Sequence, residues 1–360
     1  MFRHLCTLST CLTLTAVLFA QTPSATDKKD TSGEAFAYER IANLVRFESD
    51  GTGIRDTTAV IRIQSQGGIQ AFGQLIVGYS AATEKLEIDY ARVRKPDGQL
   101  ISTPLTEAQD FAPEILREAP MYSDYRQRHI SVVGLQVGDE LEYHTIVHIV
   151  APLAPHEFWY EHVFPRNMAV GNERLEIDVP KARELKLKSP DQKYEVRENG
   201  DRRIYTWTRK NIAPNHDLSA EDEINEIPDE PDVQLSSFTD WQQIAHWYAK
   251  LQGERMAVDD SVRKKADELT RGATKPEEKA RRLYDYVARN IRYVSLSFGV
   301  GRYQPHAASE VMTNGYGDCK DKHTLLATLL RAEGIPSYPV LIHSGRKLDP
   351  DVPSPRSSIT

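Results

Sequence analysis

The sequence predicts an all-β antiparallel sandwich followed by a smaller α+β core, and three observations carry that reading. Apolar residues alternate with period two from about Tyr38 to Trp207. An acidic stretch without Lys or Arg then runs from Asn211 to Ala249. Beyond it, apolar spacing becomes helical. The chain has 360 residues, which suggests about two domains. With 40% hydrophobic and 27% charged residues, its composition excludes wholesale disorder and a collagen-like fibre.

The strands read in order. Ala59, Ile61 and Ile63 alternate with Val60, Arg62 and Gln64, and the pattern recurs at Leu75, Val77, Tyr79 and at Leu86, Ile88, Tyr90. Pro96-Asp97-Gly98 is a turn, because Pro presets φ and Gly accepts positive φ. Gly138-Asp139 precedes a long strand through Leu141, Tyr143, Thr145, Val147 and Ile149. Leu175, Ile177 and Val179 form another, and Glu198-Asn199-Gly200-Asp201 reads as a hairpin between Tyr194–Val196 and Ile204–Trp207. Many short strands with regular turns predict a sandwich spanning residues 36–212. No fixed repeat of a solenoid or propeller is visible.

Residues 213–238 carry Asp217, Glu221, Asp222, Glu223, Glu226, Asp229, Glu230 and Asp232 with Pro228 and Pro231, as a solvated linker would. A calcium site is the alternative, but these acids lack the spacing of a calcium loop. The second domain is read over residues 239–345, with a tail over 346–360. Its first helix carries Trp241, Ile244, Ala245, Tyr248 and Leu251 behind a Thr239/Asp240 cap. Val262, Ala266 and Leu269 make a second helix. Thr274-Lys275-Pro276-Glu277 reads as a capping box for a third, lined by Ala280, Leu283, Tyr284, Val287 and Ile291. Arg292 to Phe298 reads as a strand, Cys319 to Glu333 as a helix closed by Gly334, and Ser337 to His343 as a further strand.

The N-terminus places Arg3 and His4 before an apolar run from Leu5 to Ala20, the layout of a secretory signal over residues 1–20, followed by a polar leader over 21–35. The run is shorter than the ~20 apolar residues of a membrane span, although a retained anchor helix is the alternative. No later segment is apolar enough to span a bilayer. An exported protein, periplasmic or secreted, is therefore expected. Losing the signal removes Arg3 and no acid, taking the net charge from −7 to −8. That balance argues against non-specific nucleic-acid binding. No phosphate loop or dinucleotide fingerprint appears, and His144 and His148 lie too far apart along one strand to share a zinc ion, so no cofactor or metal is expected.

Of three cysteines, Cys6 and Cys11 lie in the signal, which excludes a disulfide scaffold and leaves Cys319 as an odd thiol that needs a reason. Asp318 can cap the helix that follows, and Asp321 can return the bond. Cys319 then stands at the first helical position, where unpaired N–H groups and the helix dipole favour the thiolate, and Lys320 and Lys322 add positive charge nearby. Gly315 and Gly317 allow a tight approach, and Leu325, Leu326, Leu329 and Leu330 bury the rest of the helix. A buried structural cysteine is one alternative. A metal ligand paired with His323 at i, i+4 is another, though no second cysteine exists in the mature chain to complete a site.

Tyr316-Gly317-Asp318-Cys319-Lys320-Asp321-Lys322 resembles the G-D-C-K-D nucleophile motif of bacterial transglutaminase-like proteins. Tyr303-Gln304-Pro305 and Leu329-Leu330-Arg331-Ala332-Glu333-Gly334-Ile335 are similar to the same family. The upstream sandwich, with Pro96-Asp97-Gly98 and Trp241 after the linker, resembles the DUF3857 domain that commonly precedes this core. The resemblance implies a papain-like core in which Cys319 attacks an acyl group of a protein or peptide amide. A histidine on a following strand serves as base and an aspartate orients it. That histidine is expected in the second strand after the cysteine helix, whereas the chain runs 41 residues past Cys319. His343 ends the first such strand and is a weak candidate base. His306, His323, Asp349 and Asp351 are weaker still. The expectation is thus a core incomplete at its C-terminus, either an enzyme cut short or a non-catalytic exported binding protein.

Overall fold

A computed structural model describes residues 31, 33–117, 119–122, 124–215, 231–294, 299–342 and 349–355. The signal segment 1–20, most of the polar leader, the centre of the acidic linker and His343 lie outside the described residues.

The first domain is built on one large sheet faced by two small ones. Eight strands form the large sheet: β1 (Phe36–Phe47), β2 (Gly53–Ile63), β4 (Glu84–Arg94), β5 (Leu100–Ser102), β8 (Glu140–Ile149), β10 (Val170–Pro180), β12 (Glu195–Asn199) and β13 (Arg202–Ile212). Their order is β12-β13-β10-β1-β2-β8-β4-β5. Every pairing is antiparallel except β1 with β10, which run parallel with Val45 opposite Ile177. The Gly200-Asp201 hairpin joins β12 to β13, with Gly200 at φ 59°. Gly98, at φ 90°, makes the turn between β4 and β5.

The alternation read from the sequence decides what faces inward. Ile61, Ile63, Val93 and Leu141 pack on Leu75 of β3 (Gln74–Ser80) and Ile130 of β7 (Tyr125–Ser131), which pair with β6 (Gln109–Phe111) in one small sheet. Leu175, Ile177 and Trp207 pack instead on a second small sheet, ordered β11 (Lys186–Lys188), β14 (Val233–Ser236) and β9 (Trp159–His162). Trp207 satisfies its indole N–H on Ser189 Oγ at 3.0 Å, as a buried Trp requires.

One boundary changes. The acidic linker was expected to run solvated to residue 238. Instead Val233–Ser236 form a strand, and Asp232 through Phe238 are buried. Val233 and Leu235 enter the core, and Asp232 is tolerated inside because its carboxylate accepts from Phe164 N and Arg166.

The second domain packs helices α2 (Trp241–Gly253), α3 (Asp260–Thr270), α4 (Pro276–Asn290), α5 (Ala308–Asn314) and α6 (Cys319–Ala332) after the short α1 (Gln66–Phe72) of the sandwich. Val262, Leu283, Val287, Val311, Leu325 and Leu329 form its core. Asp240 caps α2 by accepting from Gln243 N at 2.8 Å. The box expected at Thr274 does not form. Pro276 takes the first helical position, which makes Lys275 the N-cap, a residue with no side-chain acceptor to offer. Gly334, at φ 71°, ends α6, with Ile335 N donating to Leu330 O.

Among the described residues, strand content in this domain is a two-residue parallel bridge, β15 (Arg292–Tyr293) with β16 (Tyr316–Gly317). Residues 295–298 of the expected first strand lie outside the described residues. Residues 337–342 are not a strand, because no described segment pairs with them. Tyr338, Val340 and Ile342 point alternately outward, 81%, 78% and 57% exposed.

Candidate functional site at the start of helix α6

Asp318 is the N-cap of α6 and accepts from Asp321 N at 3.1 Å, while Asp321 Oδ2 accepts from Asp318 N at 3.3 Å. Cys319 is thereby fixed as the first helical residue. The approach to it leaves no slack. A Cβ on Gly317 would lie 2.6 Å from the Asp321 Cβ, so only glycine lets the chain pass so close to the cap. The bridge of β15 with β16 sets Tyr293 opposite Gly317.

The thiol does not behave as helix-start chemistry alone predicts. Burial, followed by the negative charge of Asp318, pushes the Cys319 thiol above its ordinary value. The positive charge of Lys320 and hydrogen bonds from the Lys320 backbone N–H and the Tyr293 hydroxyl pull it down, but incompletely. Neither lysine is aimed at the sulfur as its main partner. Lys320 Nζ is bonded to the Asp318 carboxylate, and Lys322 Nζ donates to Ile291 O at 2.7 Å.

The histidines separate clearly. His306 binds the helix cap: its Nδ1 meets both Asp321 oxygens at 3.1 Å, and its backbone N–H donates to Asp321 Oδ1 at 2.8 Å. Its Nε2 faces Met121 O of the first domain at 3.1 Å. Burial alone would lower its pKa, but the Asp321 carboxylate and the Met121 carbonyl outweigh it and the pKa is raised. His306 therefore positions Asp321 rather than serving the thiol. His323 lines the same pocket as Cys319, yet its Nδ1 accepts from Gln252 Nε2 at 2.6 Å and its ring also meets the Tyr338 backbone. Burial lowers its pKa, so it is neutral near pH 7. Asp349 fastens the tail instead of approaching Cys319. Its carboxylate takes Lys188 Nζ at 2.8 Å, and its carbonyl accepts from Trp241 Nε1 at 2.7 Å. Asp351 donates its backbone N–H to the Asp349 carboxylate. His144 and His148, dismissed as zinc ligands, meet carboxylates: His144 lies between Asp56 and Asp89, and His148 meets Glu87. Among the described residues no three metal-ligating side chains gather.

Cys319 opens onto a cleft of about 180 Å³, walled by Trp247, Tyr248, Arg302, Tyr303 and Leu341. Residues 299–303 bring this wall against the first domain. Val300 N donates to Asp124 Oδ2 at 2.8 Å, and Trp159 Nε1 reaches Tyr303 Oη at 3.4 Å. Trp159, Trp247 and Tyr303 stack edge-on or tilted with centroids 5.5–5.9 Å apart. Tyr293, Arg302 and the part played by His306 escape a reading of the sequence. Each depends on a contact between segments that no local periodicity marks.

Among the described residues no helix is long and apolar enough to cross a membrane. The family "Domain of Unknown Function with solved-structure structure" (DUF3857) matches residues 49–215, and the transglutaminase-like superfamily matches residues 263–345. No curated protein matches the sequence. Among solved structures, a "putative protease" from Parabacteroides distasonis ATCC 8503 is similar at TM-score 0.70 and 16% identity. The match covers 91% of this chain and 64% of that one, so the chain spans under two thirds of its neighbour's length. An M1 zinc metallopeptidase from Deinococcus radiodurans aligns over 82% of this chain and 64% of its own at 8% identity, with a TM-score of only 0.30. The chain carries a DUF3857 domain joined to a core of the transglutaminase-like superfamily.

Proposed function

We propose that Cys319 is the nucleophile of an acyl-transfer or hydrolysis reaction on protein or peptide amides. One observation carries the reading: the sole free thiol among the described residues stands at the first position of a doubly capped helix and opens into a cleft. In such a reaction the sulfur attacks the amide carbonyl carbon, the C–N bond breaks as the amine leaves with a proton, and an amine or water later displaces the sulfur. The Lys320 backbone N–H and the Tyr293 hydroxyl, which both lower the thiol pKa, would stabilise its anion. Because burial and Asp318 hold the thiol protonated near neutrality, the reaction needs a base to take that proton. His306 has both ring nitrogens engaged, His323 spends its Nδ1 on Gln252, and His343 lies outside the described residues.

The test is acylation by p-nitrophenyl acetate, whose leaving group departs without protonation. An acetyl adduct on Cys319, found by peptide mass spectrometry and lost in Cys319→Ser, supports the reading. An adduct spread over lysines with none on Cys319 overturns it and favours a non-catalytic binding protein. Export through the apolar Leu5–Ala20 segment is part of the same proposal and is read by N-terminal sequencing of the mature protein.

A further inference from the structure

A second cavity, of about 500 Å³, lies where the two small sheets of the first domain part, and residues 299–303 of the second domain close one side of it. Phe47 and Phe158, stacked at 4.5 Å, form an apolar wall, with Tyr79 and Tyr125 on the strands opposite. Most of its charge is already spent internally. Arg55 is paired to Glu84 at 2.7 Å, and Glu157 takes Arg183 together with Ser237 and Gln243.

Arg302 is the exception. Its side chain lines both this cavity and the Cys319 cleft, and the residue is exposed. It touches the Tyr303 hydroxyl, and among the described residues no carboxylate lies within 4.0 Å of its guanidinium. Its charge reaches Tyr125 on the cavity wall. Lys320, the other cation of the Cys319 cleft, is neutralised by Asp318. Arg302 and Tyr303 line both spaces, which sets the larger cavity beside the small cleft that would hold the reacting group.

We infer that the cavity between the domains is a substrate subsite for a peptide bearing a carboxylate beside the amide offered to Cys319, with Arg302 as the anchor of that carboxylate. This rests on the nucleophile reading above. A guanidinium suits the role because it presents two parallel N–H donors to the two carboxylate oxygens. The aromatic wall takes the apolar part of the same peptide.

The experiment is calorimetric titration of the full chain with N-acetyl-Phe-Glu-amide and with its uncharged analogue N-acetyl-Phe-Gln-amide. The Glu peptide is expected to bind about tenfold tighter at low salt, as one charge-assisted hydrogen-bond pair provides. Arg302→Gln should erase that preference and Arg302→Lys should restore part of it. Ala151→Trp, filling the cavity from its exposed rim, should abolish binding of both peptides. Unfolding midpoints of the variants verify that each is folded. Equal affinities for the two peptides, a preference that survives Arg302→Gln, or binding indifferent to Ala151→Trp overturns the inference. Acylation of the unmodified protein by p-nitrophenyl acetate reports separately on Cys319. Acylation without peptide discrimination removes the subsite and leaves the nucleophile; discrimination without acylation does the reverse.

Discussion

The His306 imidazole grips the Asp321 carboxylate at 3.1 Å to both oxygens, so the residue that closes the cap beneath Cys319 is itself held from the loop before α5. With its other nitrogen on Met121 O, His306 is best satisfied when doubly protonated, and it ties the two domains together in that state.

This gives stability a pH dependence of known sign. The folded pKa of His306 is raised above its unfolded value near 6.5, so its contribution is complete below about pH 6.5 and is lost as pH rises through the folded pKa. Asp321 does not reverse the trend at mild acidity. Burial would raise its pKa, but the His306 hydrogen bond and charge hold it below the usual carboxylate range. His306→Gln should therefore cost about 2 kcal/mol at pH 6 and less at pH 8. Denaturant unfolding of both proteins across that range measures the difference; a gap that widens toward pH 8 refutes the assignment.

Asp318 does two jobs that substitution separates. Asp318→Asn keeps an N-cap acceptor and removes the charge that raises the thiol, so iodoacetamide alkylation of Cys319 at pH 7 should speed up severalfold, at a stability cost from leaving the Lys320 ammonium unpaired. Asp318→Ala loses the cap as well and should cost about 1 kcal/mol more. Alkylation rate against pH, beside thermal unfolding, reads both effects.

Tyr293→Phe tests the hydroxyl that lowers the thiol pKa. Tyr293 is 54% exposed, so the fold should tolerate the change. The thiol pKa should rise, and alkylation at neutral pH should slow a few-fold. An unchanged pH–rate profile would show that the hydroxyl does not act on the sulfur.

Gly299 is where the second domain comes closest to the Asp124 carboxylate. Its φ is 55°, and a Cβ there would meet Asp124 Oδ2 at 2.2 Å. Gly299→Ala should cost about 2–3 kcal/mol through backbone strain and a displaced Asp124–Val300 hydrogen bond. Gly98→Ala, at φ 90° but with open space around the new Cβ, should cost about 1 kcal/mol. Equal losses at the two positions would mean that the Asp124 contact contributes nothing.

Local pattern was enough to reach much of this molecule. Ile61, Leu175 and Ile177 announce their strands by alternation, and all three are fully buried. Asp318 and Asp321 stand three apart, so the capping box is a matter of spacing. Most of the failures were decided by a segment distant in sequence. Val233–Ser236 follows a run of acids that reads as solvated chain, and only pairing with Trp159–His162 and Lys186–Lys188 makes it a core strand. Residues 337–342 have strand-like alternation without a ladder partner among the described residues. The helix start and the neighbouring Lys320 and Lys322 predict an acidic thiol, an argument blind to burial and to the charge of the capping residue. Tyr293 reaches Cys319 through a two-residue bridge too short to leave a periodic signal.

The parallel pairing of β1 with β10 has a consequence for how the chain acquires this shape. The first strand is an interior strand of its sheet, held on one side by its neighbour in sequence and on the other by a segment made far later, with Tyr38 opposite Val170. Until β10 has been synthesised, the hairpin of β1 and β2 offers an unpaired edge along β1. Pairing across so long a separation also closes slowly. The fold thus completes late rather than growing from its N-terminus, and the interval before closure is when its most exposed edge is open to other chains.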